Sequence, residues 1–119
     1  MNAAACLAQA QALGDDYQLA INAFVDEFRR ASREQQVTLV ETPIVQAGRL
    51  EALVAGVVSF LSAEAGIVAP AWVHGITSPS PWFVLPARSF EMRVRLMLES
   101  PPPFRNRGVY VPENYLSRA

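Results

Sequence analysis

Apolar residues recur at helical spacing in three long stretches of the chain. Between residues 17 and 31, Tyr17, Ile21, Phe24, Val25, Phe28 and Ala31 share one face, while Asp26, Glu27, Arg29, Arg30 and Arg33 occupy the other. That period predicts an amphipathic helix, and its cationic end suits a helix C-terminus. From Arg49 to Ala65, Leu50, Leu53, Val54, Val57, Phe60 and Leu61 point inward, and Gly66 stops the run. Val58 falls on the far side, so this helix is expected to be covered on most of its circumference and to be central. A third helix is expected from Pro86 or Ala87 to about Ser100. Phe90, Val94, Met97 and Leu98 define its predicted buried face, and Arg88, Glu91, Arg95 and Glu99 can pair along its exposed one.

The remaining segments carry weaker patterns. Residues 2–13 are rich in alanine and glutamine, with Leu7 and Leu13, a fair helix by propensity. Gly14 ends it, and Asp15 or Asp16 is expected to cap the next helix. Val37-Thr38-Leu39-Val40 fits either a short strand or a helical turn; Pro43 and Gly48 then mark a connector. Residues 67–86 form a long irregular segment with four prolines, expected to be held down by Trp72, Ile76, Trp82, Phe83 and Leu85. Pro101-Pro102-Pro103 ends the third helix and starts a turn through Arg107. After Gly108, Val109-Tyr110-Val111 reads as extended, and Pro112 opens a last turn through Leu116. The fold class is all-α: a small four- to five-helix bundle with a long proline- and tryptophan-containing structured loop and at most one or two very short strands. Residues 1–119 form a single domain, divided into a helical half (1–66), the loop (67–86), and a helix plus arginine-rich C-terminal turns (87–119).

Composition narrows the function classes. At 119 residues the chain is the size of one compact domain. No apolar run reaches the roughly 18 residues of a membrane span. The first residues lack the positive region of a signal peptide, which points to a cytosolic address and no membrane partner. A single cysteine, Cys6, excludes an internal disulfide and any multi-cysteine metal site. All ten basic residues are arginine. Residues 1–87 carry four arginines against eight carboxylates, and residues 88–119 six against three. A local surplus of three positive charges is far short of a nucleic-acid footprint. It suits an arginine-lined patch for an acidic partner, or internal ion pairs.

Candidate chemistry concentrates after Pro70. Arg105 and Arg107, alternating in Phe104-Arg105-Asn106-Arg107-Gly108, can clamp a carboxylate or phosphate bidentately. On the alternative reading Phe104 plugs the core, the arginines pair with Glu99, Glu113 or helix C-terminal carbonyls, and Gly108 supplies a left-handed cap. Trp72, Trp82 and Phe83 are either interface anchors or the ballast that holds the loop down; the area each ring buries favours the second. His74 has no second histidine or thiol near it for a metal, and spacing identifies no nucleophile or orienting carboxylate for it to serve. No glycine-rich nucleotide loop or cofactor motif is present.

The residues around Trp72, the Pro81-Trp82-Phe83 triplet, Arg93 and Leu96, Glu99-Ser100-Pro101, Phe104 to Tyr110 and the closing Leu116-Ser117-Arg118-Ala119 are similar to a group of small uncharacterised helical proteins of actinobacteria and other high-GC bacteria. Some of that group resemble the C-terminal half of Xre-type regulators or toxin–antitoxin partners. The chain lacks a helix-turn-helix pattern, so the resemblance implies no DNA binding. It implies a helical fold and no activity that transfers to this chain. The absence of a catalytic constellation, the aromatic loop and the arginine-rich end lead to the expectation of a non-enzymatic protein-interaction or regulatory module, antitoxin-like in character, whose partner is another protein or a second copy. The alternative is a domain binding a small anion or nucleotide through Arg105 and Arg107, with His74 nearby. A homodimer is suggested separately by the nearly all-round apolar helix 49–65.

Overall fold

A computed structural model describes residues 1–85 and 87–117 of the chain. Six helices and two very short strands follow in the order α1 (Ala3–Leu13), α2 (Gln18–Arg30), α3 (Arg33–Glu41), α4 (Arg49–Ala65), β1 (Trp82–Phe83), α5 (Phe90–Glu99), α6 (Pro102–Arg105) and β2 (Val109–Tyr110). The expected all-α class is thus the observed one.

Local chemistry sets the ends of these helices. The Asn2 side chain accepts the Ala5 amide at 2.8 Å and starts α1. At α3, the Ser32 hydroxyl accepts from the Gln35 amide while the Gln35 side chain accepts from the Ser32 amide. This reciprocal cap resolves the ambiguous 37–40 segment in favour of helix, because it satisfies two orphan donors just upstream of it. Gly66 ends α4 with φ of 72°, and the Ile67 amide returns to the Ser62 carbonyl at 3.0 Å, a glycine stop that few other residues adopt without strain. Asp15 and Asp16 do not cap α2; they lie in a 3-10 turn over Gly14–Asp16, and no side chain caps that helix.

The core is built around α4. Every residue from Ala52 to Val58 is buried, including Val58, as its all-round pattern predicts. α1 reaches it through small residues: Ala3, Cys6 and Ala10 are fully buried and allow close backbone approach. α2 adds Ile21, Phe24, Val25 and Phe28. On the opposite side Gly56 admits the ring of Phe104 from α6, where a Cβ would sit only 2.7 Å from Phe104 Cδ1. Arg29 ties the periphery together, with two bonds of 3.0 Å to Glu64 of α4 and one of 2.7 Å to the Leu116 carbonyl.

The loop after α4 is packed down through Trp72, Ile76 and Trp82, whereas Leu85, expected to help hold it, is 46% exposed because it lies where the chain leaves the body. A 3-10 turn spans Ala71–Gly75, with Val73 fully buried. Trp72 Nε1 donates to the Val40 carbonyl at 2.8 Å, pinning the loop to the end of α3. β1 and β2 pair in parallel, Trp82 opposite Val109 and Phe83 opposite Tyr110; the chain leaves the body after Val84 and has returned by Ser100, which is buried. α5 occupies that excursion.

The predicted orientation of this third helix is corrected by the structure. It begins at Phe90, capped by Ser89, later than expected; Pro86 lies outside the described residues. Its supposed buried face points to solvent: Phe90 is 79% exposed, Leu98 74% and Met97 41%, while Val94 is half-buried. The physical reason is that α4 is already surrounded by α1, α2, α6, the 3-10 turn and β2. Those elements cover α4 completely from Ala52 to Val58, so the apolar pattern that suggested a homodimer is satisfied within the chain. α5 touches the body on its other side, where Leu96 is buried and the Ser100 hydroxyl accepts from the Val111 amide at 2.8 Å.

Candidate functional site

Three places gather the chemistry-bearing residues. The first is the arginine turn. Pro101 to Pro103 launch α6, and Gly108, with φ of 74°, reverses the chain into β2. The Arg107 side chain is thereby turned inward and is only 7% exposed. Its guanidinium donates twice to the Val73 carbonyl, at 3.2 and 2.7 Å, and once to the Pro103 carbonyl at 2.6 Å. Burial holds its pKa below the usual arginine value. No carboxylate among the described residues pairs with it; the charge is met by backbone dipoles, which join the 3-10 turn to α6. The cation is used internally, as the carbonyl-capping reading of this turn anticipates. Arg105 is exposed on the outer side of α6, and its side chain makes no hydrogen bond or ion pair with the described residues. The two arginines therefore do not converge on a ligand. His74 is exposed at the end of the 3-10 turn, on the segment whose Val73 carbonyl Arg107 engages.

The second place is a recess of about 370 Å³ lined by Gly14, Asp15, Tyr17, Arg49, Leu50 and Trp82. Trp82 is half-buried there. The Tyr17 ring meets it edge-on at 5.5 Å, and the Arg49 guanidinium lies 5.1 Å from its centroid. Burial raises the Tyr17 pKa, partly opposed by the Arg49 charge. Arg49 covers the open face of the indole, a cation–π contact of about 0.5–1 kcal/mol at such exposed sites. Phe83, on the alternate side of the strand, stacks against Tyr110 at 5.0 Å. Trp72 is held by its bond to Val40. The aromatics thus act chiefly as struts between the loop and the helices, with Trp82 half-buried.

The third place is α5, which sequence reasoning assigned to the core. At 3.6 residues per turn, Phe90, Val94 and Leu98 form one row along the helix, and Glu91, Arg95 and Glu99 the next. Between the rows runs an open groove of about 420 Å³. Leu96 and Ser100 anchor the opposite side. Contiguous exposed apolar patches often mark interaction sites, and this row is rimmed by charge and set on a helix capped by Ser89. Its amphipathic period was visible in the sequence. What no local pattern carried was which body covers that face.

Among the described residues no group of three or more histidine, cysteine or acidic side chains could hold a metal ion, and no helix is long and apolar enough to cross a membrane. Cys6 is buried against the Ala20 carbonyl, and burial pushes its thiol up to about 12. Comparison with known proteins finds no match to a family model, a curated protein or a solved structure.

Proposed function

We propose that the chain is a non-enzymatic protein-interaction or regulatory module whose recognition element is α5. The observation that carries this reading is the exposure of Phe90 and Leu98, 79% and 74%, on a helix with a regular apolar row. Leaving a Phe or Leu in water forgoes about 1.5–3 kcal/mol per side chain relative to burial. A helix whose apolar row is solvated while its own domain offers no surface for it is built to meet another polypeptide. The resemblance to regulator-like and toxin–antitoxin proteins points the same way without naming a partner. The anion-binding alternative loses its support where Arg107 is committed to three carbonyl bonds.

The test is site-specific photo-crosslinking in the producing cell. A photoreactive side chain at Leu98 should give a discrete protein adduct that Val94→Glu abolishes, whereas the same group at Arg105 should give none. Absence of any adduct from α5 would sink this function.

A further inference from the structure

We propose that the recess between the Gly14–Asp16 turn, the start of α4 and β1 is a binding site for a small zwitterion, the class to which the free amino acids belong. The site lies outside α5 and uses neither Arg105 nor Arg107. It therefore goes beyond the interaction reading and does not depend on it.

The recess is lined by one side chain of each charge, Asp15 and Arg49. Neither side chain forms an ion pair or a hydrogen bond with the other or with any other described residue. Two opposite charges that border one recess without meeting are complementary to a ligand carrying both an ammonium and a carboxylate. Other classes leave something unmet. A phosphate dianion brings its charge against Asp15, and an oligoamine brings its own against Arg49. An apolar molecule strips water from both charges and replaces none of it. The volume, about 370 Å³, is near the lower end of small-molecule sites, about 300–1,000 Å³.

The walls hold these groups in place. The Arg49 guanidinium lies over the Trp82 ring, 5.1 Å from its centroid. Stacking engages the face of that planar group and leaves the N–H fork in its plane to take a carboxylate bidentately. Trp82 is itself fixed, because its amide donates to the Gly108 carbonyl at 2.9 Å and the Tyr17 ring meets it edge-on. Asp15 sits on a turn closed by the Tyr17 amide, which donates to the Gly14 carbonyl at 3.2 Å. The Tyr17 hydroxyl adds a neutral polar group that feels the Arg49 charge. Leu50, Tyr17 and Trp82 supply an apolar wall for the rest of the ligand.

The experiment is a proton–nitrogen NMR titration of the full chain, read at the indole N–H signals of Trp72 and Trp82. Each common L-amino acid and a series of ω-amino acids are added singly to about 10 mM, ten times a dissociation constant of about 1 mM. At least one should shift the Trp82 signal saturably and leave in place that of Trp72, which is bonded to the Val40 carbonyl. The N-acetyl derivative of that ligand keeps only the carboxylate and its amide only the ammonium; each should bind at least about tenfold more weakly. With Asp15→Asn the parent and its N-acetyl derivative should bind alike, and with Arg49→Gln the parent and its amide. Both positions are exposed, and an unmoved Trp72 signal in each variant reports an intact fold. The proposal is overturned if no amino acid shifts Trp82 or if either blocked derivative binds as well as the parent. It is equally overturned if inorganic phosphate binds as tightly, or if both variants keep the wild-type preferences. The Leu98 crosslink is read separately, so the failure of one site leaves the other standing.

Discussion

Replacing Gly56 by alanine sets two opposing effects against each other in one methyl group. Glycine in a helix interior is disfavoured by about 0.8–1.0 kcal/mol relative to alanine, so on propensity alone Gly56→Ala stabilises α4. The new Cβ would lie 2.7 Å from Phe104 Cδ1, 3.0 Å from Cε1 and 3.3 Å from the Pro103 carbonyl oxygen. Phe104 cannot swing aside easily: it is fully buried, with Phe60 at 6.2 Å and Tyr115 edge-on at 5.7 Å. The third neighbour is backbone, and it also accepts from Arg107 Nη1 at 2.6 Å. Overpacking of a filled core costs about 1–3 kcal/mol, and contact with an immobile ring falls in the upper half of that range. The net expectation is destabilisation by about 1–2 kcal/mol. With a urea slope of about 2 kcal/mol per molar, in the middle of the usual range, the denaturation midpoint should fall by roughly 0.5–1 M. Two controls isolate the cause. At Gly75 a Cβ would meet nothing within 4 Å and φ is not positive, so Gly75→Ala should gain about 0.4–1 kcal/mol. In a Phe104→Leu background the sign at Gly56 should reverse, giving a coupling of about 2–3 kcal/mol in the double-mutant cycle. A rise in the midpoint for Gly56→Ala in the wild-type background would refute the close approach of α4 and α6.

Arg107→Met should destabilise the fold by about 2–4 kcal/mol, since it removes charge-assisted bonds and orphans the Val73 and Pro103 carbonyls; an unchanged urea midpoint would show that the guanidinium is not the clamp. Cys6 gives a pH signature. Its folded pKa of about 12 lies above the unfolded value near 8.5, so its contribution is intact below about pH 8.5 and lost as pH rises toward 12. Cys6→Ala should flatten that alkaline decline in urea midpoints, and native wild-type protein should resist iodoacetamide at about pH 8 until unfolded. Ser62 is fully buried in α4 with its hydroxyl unpaired, so Ser62→Ala should be neutral or stabilising by about 1 kcal/mol in the same titration; a loss of about 2 kcal/mol or more would mean the hydroxyl has a partner.

What was legible in the sequence follows from how far each signal reaches. Helices α2 and α4 were readable because their apolar positions repeat every three to four residues and both faces have a definite destination. The all-round burial of α4 was readable from Val58. The 37–40 segment was not, because its identity is decided by Ser32 and Gln35 upstream and not by its own β-branched residues. Asp15 and Asp16 suggested a cap, but a 3-10 turn places them outside capping geometry. In the candidate site, the loop-anchoring reading of Trp72 and the carbonyl-capping reading of Arg107 match the observed bonds. Arg49 and Trp82 meet across most of the α4 helix and the whole loop that follows it, and no spacing rule could have found that pair.

The case of α5 is the most informative, because there the period was read correctly and its destination was not. Hydrophobic periodicity records that a helix has a face to bury; it carries no label for what buries it. A core helix and an interface helix therefore look identical until the available core surface is counted. Here that count is settled by Gly56. Because α4 lets Phe104 in at that position, α6 and the parallel strand pair occupy the side of α4 that another long helix would need. The chain between Val84 and Ser100 is left as an excursion, with Leu96 the buried residue of α5 and Ser100 its buried cap. Phe90 and Leu98 stay in solvent on that excursion, and on the function proposed above it is a second polypeptide that would cover them.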